Sequence, residues 1–284
     1  MSKVAVVADT ICCLPPELVR EYGIRLIPAS LVIDRKVYND ISLSNEQFWE
    51  MFYKAKEPVT TNAINPGDFE SVFSELAKET DSIVCILVSK VLTATFNNAV
   101  IAAKMVQEAH PGLKIEIVDS VSAAGAEGFI VLEAAKAARE GKSLAEVVQV
   151  IKETIPRVNF FCTMETMKYL IRIGRAPKIA HLGDMMKVKP IISLNKETGL
   201  VENVGRARGM PKAMEKMVEM VKENTGTEKP LKLMVHYTDD PKAADELKKM
   251  ALQQLPNCKE VYTTPYTPVM AAACGPVVAI SYYV

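Results

Sequence analysis

Four short apolar runs, VAVVAD at 4–9, IRLIPASLVI at 24–33, SIVCILVS at 82–89 and KIEIVDS at 114–120, are separated by stretches with helical spacing. Strands that alternate with helices are joined by crossovers, which leave them side by side and parallel, so the first half reads as α/β with a parallel sheet. Ser44 with Gln47, and Ser143 with Glu146, have the spacing in which a hydroxyl and the side chain three residues on satisfy each other's end of a helix. Helices are therefore expected to start near 45 and 144. In Asn65-Pro66-Gly67-Asp68 the asparagine can cap and the proline can take the first helical position. Phe69, Val72, Phe73 and Leu76 then share a face, which predicts a helix to about Lys78.

The second half reads as a mixed or antiparallel α/β domain. Strands are expected near 158–162, 188–194, 201–205, 231–237, 258–263 and 277–283, with helices around 164–172, 210–223 and 241–255. Lys196-Glu197-Thr198-Gly199 has the composition of a hairpin loop and predicts antiparallel pairing. A chain of 284 residues suits two domains. The boundary is placed near Pro156, giving 1–156 and 157–284, with the segment at about 58–80 free to cross to the second. No Ser/Gly-rich linker intervenes, so the halves should pack around a cleft, a common place for a small-molecule site. The apolar stretch Pro268 to Val284 is broken at Gly275-Pro276 and is shorter than the ~20 residues that cross a bilayer. It reads as buried strand. Met1-Ser2-Lys3 leads straight into the first strand without a signal-peptide core, so a cytoplasmic protein with no membrane insertion is expected.

Lysine plus arginine (34) balances aspartate plus glutamate (34), which leaves no net field to attract nucleic acid. The six cysteines form no CxxC pair and lie mainly in apolar segments, a pattern of reduced thiols rather than disulfides or zinc ligands. The three histidines, His110, His181 and His236, have no metal-ligand spacing, and nucleotide or hydrolase motifs are absent. No cofactor is implied. His236 ends the run LMVHYTDD, where a capping or solvated role competes with a catalytic one. Asp9-Thr10 and Asp119-Ser120 follow apolar strands, so each either lines a crevice at the carboxyl ends of parallel strands or caps the next helix. Thr60-Thr61-Asn62 and Thr93-Ala94-Thr95-Phe96-Asn97 combine hydroxyl and amide groups with loop positions. Such groups bind a carboxylate through neutral hydrogen bonds beside a helix N-terminus, or else serve as caps.

The ordered series of motifs resembles the DegV family, whose members bind fatty acids. TTNAINPGDFE at 60–70 is similar to the family's TSQPSPGDF, and Ser89 to Ala99 resembles SSxLSGTYQSA. Asp9-Thr10 with Leu14-Pro15, Asp34 to Asp40, Val118-Asp119-Ser120 through Gly128, and 167–193 with Arg206-Ala207-Arg208 are further matches over essentially the whole chain. The resemblance implies an apolar tunnel for a long-chain fatty acid such as palmitate, with the carboxylate near the cleft. Thr61 and Thr93 match the residues that hold it, and Asn62 stands where the family has serine. Thr95 and Cys274 complete the expected ligand set. Burying ~0.8 kcal/mol per CH₂ over about sixteen carbons supplies on the order of ten kcal/mol before binding costs. Met164, Met167, Met185 and Met186 are candidate tunnel residues, though methionine also fills core gaps.

By the same resemblance the protein is a non-catalytic carrier that presents its acyl group to a separate fatty acid kinase subunit. Arg175 and Arg206 would then face the partner or the phosphate, the alternative being solvated surface arginines. Where the family commonly has HTGPG, this chain has Ala273-Cys274-Gly275-Pro276-Val277, so the head-group histidine is missing. Two other readings stay open: a small-molecule enzyme using Cys274 as nucleophile or His236 as base, and a regulatory protein whose lipid is structural.

Overall fold

The computed structural model describes residues 4–177 and 188–284. Strand β1 (Ala5–Asp9) is followed by a 3-10 turn, Thr10–Cys12, then α1 (Pro16–Tyr22) and β2 (Arg25–Ile27). Next come β3 (Ser30–Ile33), β4 (Lys36–Asn39), α2 (Asn45–Lys54), β5 (Thr60–Asn62) and α3 (Pro66–Leu76). The first half closes with β6 (Ser82–Leu87), α4 (Thr95–Ala109), β7 (Lys114–Asp119), α5 (Ala124–Arg139) and α6 (Leu144–Thr154). Strands β2-β1-β6-β7 form the expected parallel sheet. Both capping boxes form, at Ser44 and Ser143, and Asn65 accepts from the Asp68 amide to start α3.

One expectation needs correction in this half. The run at 24–33 is not a single strand: it breaks around Pro28, which has no amide hydrogen for a ladder. Its first part joins the parallel sheet and its second part centres a small antiparallel sheet, β4-β3-β5, that places Thr61 opposite Leu31.

A 3-10 turn at Ile155–Arg157 leads into β8 (Val158–Met164) and α7 (Lys168–Arg172). Then follow β9 (Val188–Leu194), β10 (Val201–Arg208), α8 (Met210–Thr225), β11 (Leu231–Tyr237) and α9 (Pro241–Gln254). The order ends with β12 (Cys258–Pro265), α10 (Pro268–Cys274) and β13 (Val277–Tyr283). The sheet β10-β9-β8-β13-β11-β12 is mixed: β11 and β12 run parallel and the other pairs antiparallel. The hairpin at 196–199 joins β9 to β10 as expected. The stretch from Pro268 is only half strand. Pro268 opens α10, and Gly275, with φ +72°, turns the chain into β13 where an added Cβ would run into the Tyr169 ring. The helix expected at 164–172 is confined to Lys168–Arg172, because β8 continues to Met164 in register with Val277.

Helix α5 passes between the two large sheets, touching β1 and β6 on one side and β8, β13 and β11 on the other. Its small residues permit this. A Cβ on Gly128 would stand 2.7 Å from the Cys12 carbonyl oxygen, and one on Gly125 would collide with the His236 ring. One apolar cluster therefore runs from Val84 and Ile86 through Phe129 and Ile130 to Cys162, Ile192 and Ala279. Helix α2 ties the halves from outside: the Trp49 indole N–H and the Asn45 amide both donate to the Thr238 carbonyl, at 2.9 and 2.8 Å. Trp49→Phe is expected to lower stability by about 1 kcal/mol through the lost hydrogen bond, seen as a lower urea midpoint with an unchanged slope.

Candidate ligand cavity at the ends of the parallel strands

A cavity of about 520 Å³ lies where the carboxyl ends of β1 and β6 face β5, α10 and strands β8 to β10. This is the crevice position of open α/β sheets. One side carries exposed Thr60, Asn62 and Arg172; the other is walled by buried Phe160, Cys162, Ile192 and Leu194. The cavity thus has a polar mouth and an apolar interior. Thr61, Asn62, Thr93, Thr95, Arg175 and Cys274 all line it.

Helix α4 begins at Thr95 with Ala94 before it, a residue that cannot cap with its side chain. The amides of its first turn carry the positive end of the helix dipole, and Ala94 and Thr95 line the cavity. Beside them, Thr95 Oγ1 accepts the Ile64 amide at 3.3 Å, Thr93 Oγ1 accepts the Thr95 amide at 3.3 Å, and the two hydroxyls are 3.0 Å apart. Only one hydroxyl proton fits between two oxygens. Whichever threonine supplies it, the other keeps a proton free for a ligand. The Thr61 hydroxyl makes no hydrogen bond among the described residues and adds a second donor, whereas the Asn62 amide already reaches Ser30 Oγ at 3.4 Å.

Two guanidiniums stand at the mouth. Arg175 Nε donates to the Leu92 carbonyl at 2.7 Å, and an Arg172 terminal nitrogen donates to the Val59 carbonyl at 2.7 Å. Each keeps further N–H groups for an anion. Arg172 was not foreseen, although it lies only three residues before Arg175, at the end of α7. Arg206 does not reach the cavity: it is exposed on β10, opposite Pro190. Met164 and Met167 are buried in the core and do not line the cavity, whereas Met270 does. Met185 and Met186, like His181, lie outside the described residues.

The chemistry open to Cys274 and His236 is limited by burial. Burial pushes the Cys274 thiol up to about 12, which keeps it protonated and a poor nucleophile. His236 is not solvated; of its readings the capping one holds, at the first turn of α5. It is fully buried away from the cavity, its Nε2 accepts the Gly125 amide at 3.1 Å, and burial pulls its pKa down to about 3. Asp9 fulfils both of its readings. Its two oxygens accept the Ile11 and Val88 amides, at 2.8 and 3.0 Å, and it lines the cavity. Asp119 instead holds the amides of Lys90 and Val121, at 3.2 and 2.9 Å.

A family model described as uncharacterised protein, DegV family, matches residues 3–284. The chain belongs to the DegV family. A DegV domain-containing protein of Caldanaerobacter subterraneus is 35% identical over 228 residues, 80% of this chain and 79% of the relative. A solved DegV family protein from Thermus thermophilus, described as binding fatty acid, is 26% identical with a TM-score of 0.90, covering 100% of this chain and 99% of that one. The B3 protein of Streptococcus pneumoniae fatty acid kinase, loaded with linoleic acid, shares the DegV fold at 20% identity and a TM-score of 0.87, covering 100% and 99%.

Proposed function

We propose that this DegV protein binds one long-chain fatty acid, with its carboxylate at the Thr61 and Thr93 hydroxyls and its chain in the apolar interior. The observation that carries the reading is the joining of an uncommitted hydroxyl proton, beside the start of α4, to a cavity walled by Phe160, Cys162, Ile192 and Leu194. Apolar burial supplies the affinity, at ~0.8 kcal/mol per CH₂, and the head group needs only to be satisfied. The fatty-acid-binding relatives support it. A cavity with a protonated thiol and no histidine among the described residues of its wall favours holding over turnover, so the protein acts as a carrier and not as an enzyme.

In that role the carboxylate would be offered to a separate kinase subunit, as the likeness to the streptococcal protein suggests. Arg175, with Arg172 beside it, sits where it would meet the head group, and exposed Arg206 would meet the partner. The two domains of this reading would divide at the turn Ile155–Arg157. Ala273, in place of the family histidine, lines the cavity and leaves the head group with one donor fewer.

Native and denaturing mass spectrometry of the purified protein tests the reading. A stoichiometric fatty acid is expected, with affinity for added palmitate reduced about tenfold in Thr61→Ala and in Thr93→Ala, the effect of one lost hydrogen bond to a charged group. A protein that carries no acid and takes up neither palmitate nor oleate would sink the proposal.

A further inference from the structure

Asp9 and Glu127 are the most deeply buried acids beside the cavity, both fully inaccessible to solvent. Their carboxyl groups stand within hydrogen-bonding reach of each other. Yet neither oxygen of Glu127 meets an N–H or O–H donor. The two facts are reconciled by a proton: two carboxylates are both acceptors and repel, whereas an acid and a carboxylate form a strong hydrogen bond. Asp9 already accepts two backbone amides, from Ile11 and Val88, which favours the charge on Asp9 and the proton on Glu127.

Among the described residues no cation acts on the pair itself; Arg172 and Arg175 stand at the mouth of the same cavity, where they meet the ligand. Asp40 faces the pair from the turn after β4, Cys12 and Cys13 from the turn after β1, Cys85 from β6 and Asp119 from the end of β7. Lys90 is 3.6 Å from Asp119, and neutral His236 is held by Gly125. Asp9 lines the same cavity as Thr93, and Val88, whose amide it holds, leads directly into the loop that carries that threonine. A ligand carboxylate at the mouth therefore brings a second negative charge into a poorly solvated space beside Asp9. Burial already lifts Asp9 to about 6 and Glu127 well above the usual carboxylate range, so protonation is within reach near neutrality.

We propose that Asp9 and Glu127 share one proton in the unliganded protein, and that a fatty carboxylate bound at the mouth draws a second from solvent onto Asp9, so that ligand binding takes up a proton. This rests on the fatty-acid reading above. It makes the site tighter in acid: near neutral pH the dissociation constant should rise by up to about tenfold per pH unit.

Titration calorimetry with dodecanoate at pH 7.0, in phosphate, HEPES and Tris buffers, measures the uptake as the slope of observed enthalpy against buffer ionisation enthalpy. The full chain should take up roughly half to one proton per dodecanoate. Glu127→Gln keeps a neutral donor to Asp9 in place of the protonated acid, so uptake should persist there, whereas Asp9→Asn removes the group that takes the second proton, and its slope should fall close to zero. Binding with no proton uptake in the unmutated chain overturns the inference alone. Undiminished uptake in Asp9→Asn does the same, because the proton then lies on the ligand or elsewhere. Failure to bind dodecanoate, with no acid found by mass spectrometry, removes the fatty-acid reading and this inference together.

Discussion

Cys162→Phe is expected to weaken binding of palmitate about a thousandfold while leaving that of short acids nearly unchanged. Cys162 lies on β8, in the middle of the six-stranded sheet, and forms part of the buried wall of the cavity. A phenyl ring there occupies space the acyl chain would fill. Displacing about five methylenes forfeits ~4 kcal/mol, which is about a thousandfold in Kd. The side chain grows into existing space, so the thermal midpoint should move little, unlike overpacking of a filled core. The check is a series of saturated acids from eight to eighteen carbons against both proteins. Equal losses for every length would place the damage at the head group and argue against a tail-holding interior.

His236→Gln should make the protein more stable, relative to the unmutated chain, by ~3 kcal/mol at pH 4 compared with pH 7. The folded pKa of His236 is pulled down to about 3 from 6.5 by burial. A depressed folded pKa gives stability that is present above 6.5 and lost as pH falls toward 3, because the unfolded chain takes the proton first. Glutamine cannot titrate and can still accept the Gly125 amide. Asp9 and Glu127 work with the opposite sign. Their folded values are raised, so their contribution is complete below the unfolded carboxylate range and is lost as pH rises, through about 6 in the case of Asp9. Urea midpoints at the two pH values, in both proteins, decide the matter. A constant difference between them would mean that His236 is protonated in the folded state.

The parts of the fold legible in the sequence are those with a local physical cause. Ser44, Ser143 and Asn65 form caps that need nothing but their own neighbours, and the parallel strands are apolar because both faces are covered. Strands β3 to β5, at three or four residues each, are too short to show a period, and their pairing is set by distant partners. Helix α10 is as apolar as the strand after it, so only Pro268 and Gly275 mark its limits. At the site, Thr61 and Thr93 stood out because hydroxyls clustered in loops are conspicuous. Arg172 passed for an ordinary helix-end arginine; its place at the mouth depends on where Val59 and α10 come to lie. Glu127 was hidden by its setting among alanines and glycines, where a single acid looks like a solvated helix residue, although it is fully buried.

The placement of α5 also bears on how the molecule is made. As the chain leaves the ribosome, the parallel sheet can cover only one flank of this helix; the other waits for β8, β11 and β13. Strand β13 is synthesised after every other strand in the structure, yet it sits between β8 and β11 in the centre of its sheet. A nascent chain thus carries an incompletely shielded apolar helix flank until β13 has emerged. A premature stop shortly before Val277 should be as damaging as one much earlier, yielding an aggregating fragment rather than a shortened working protein.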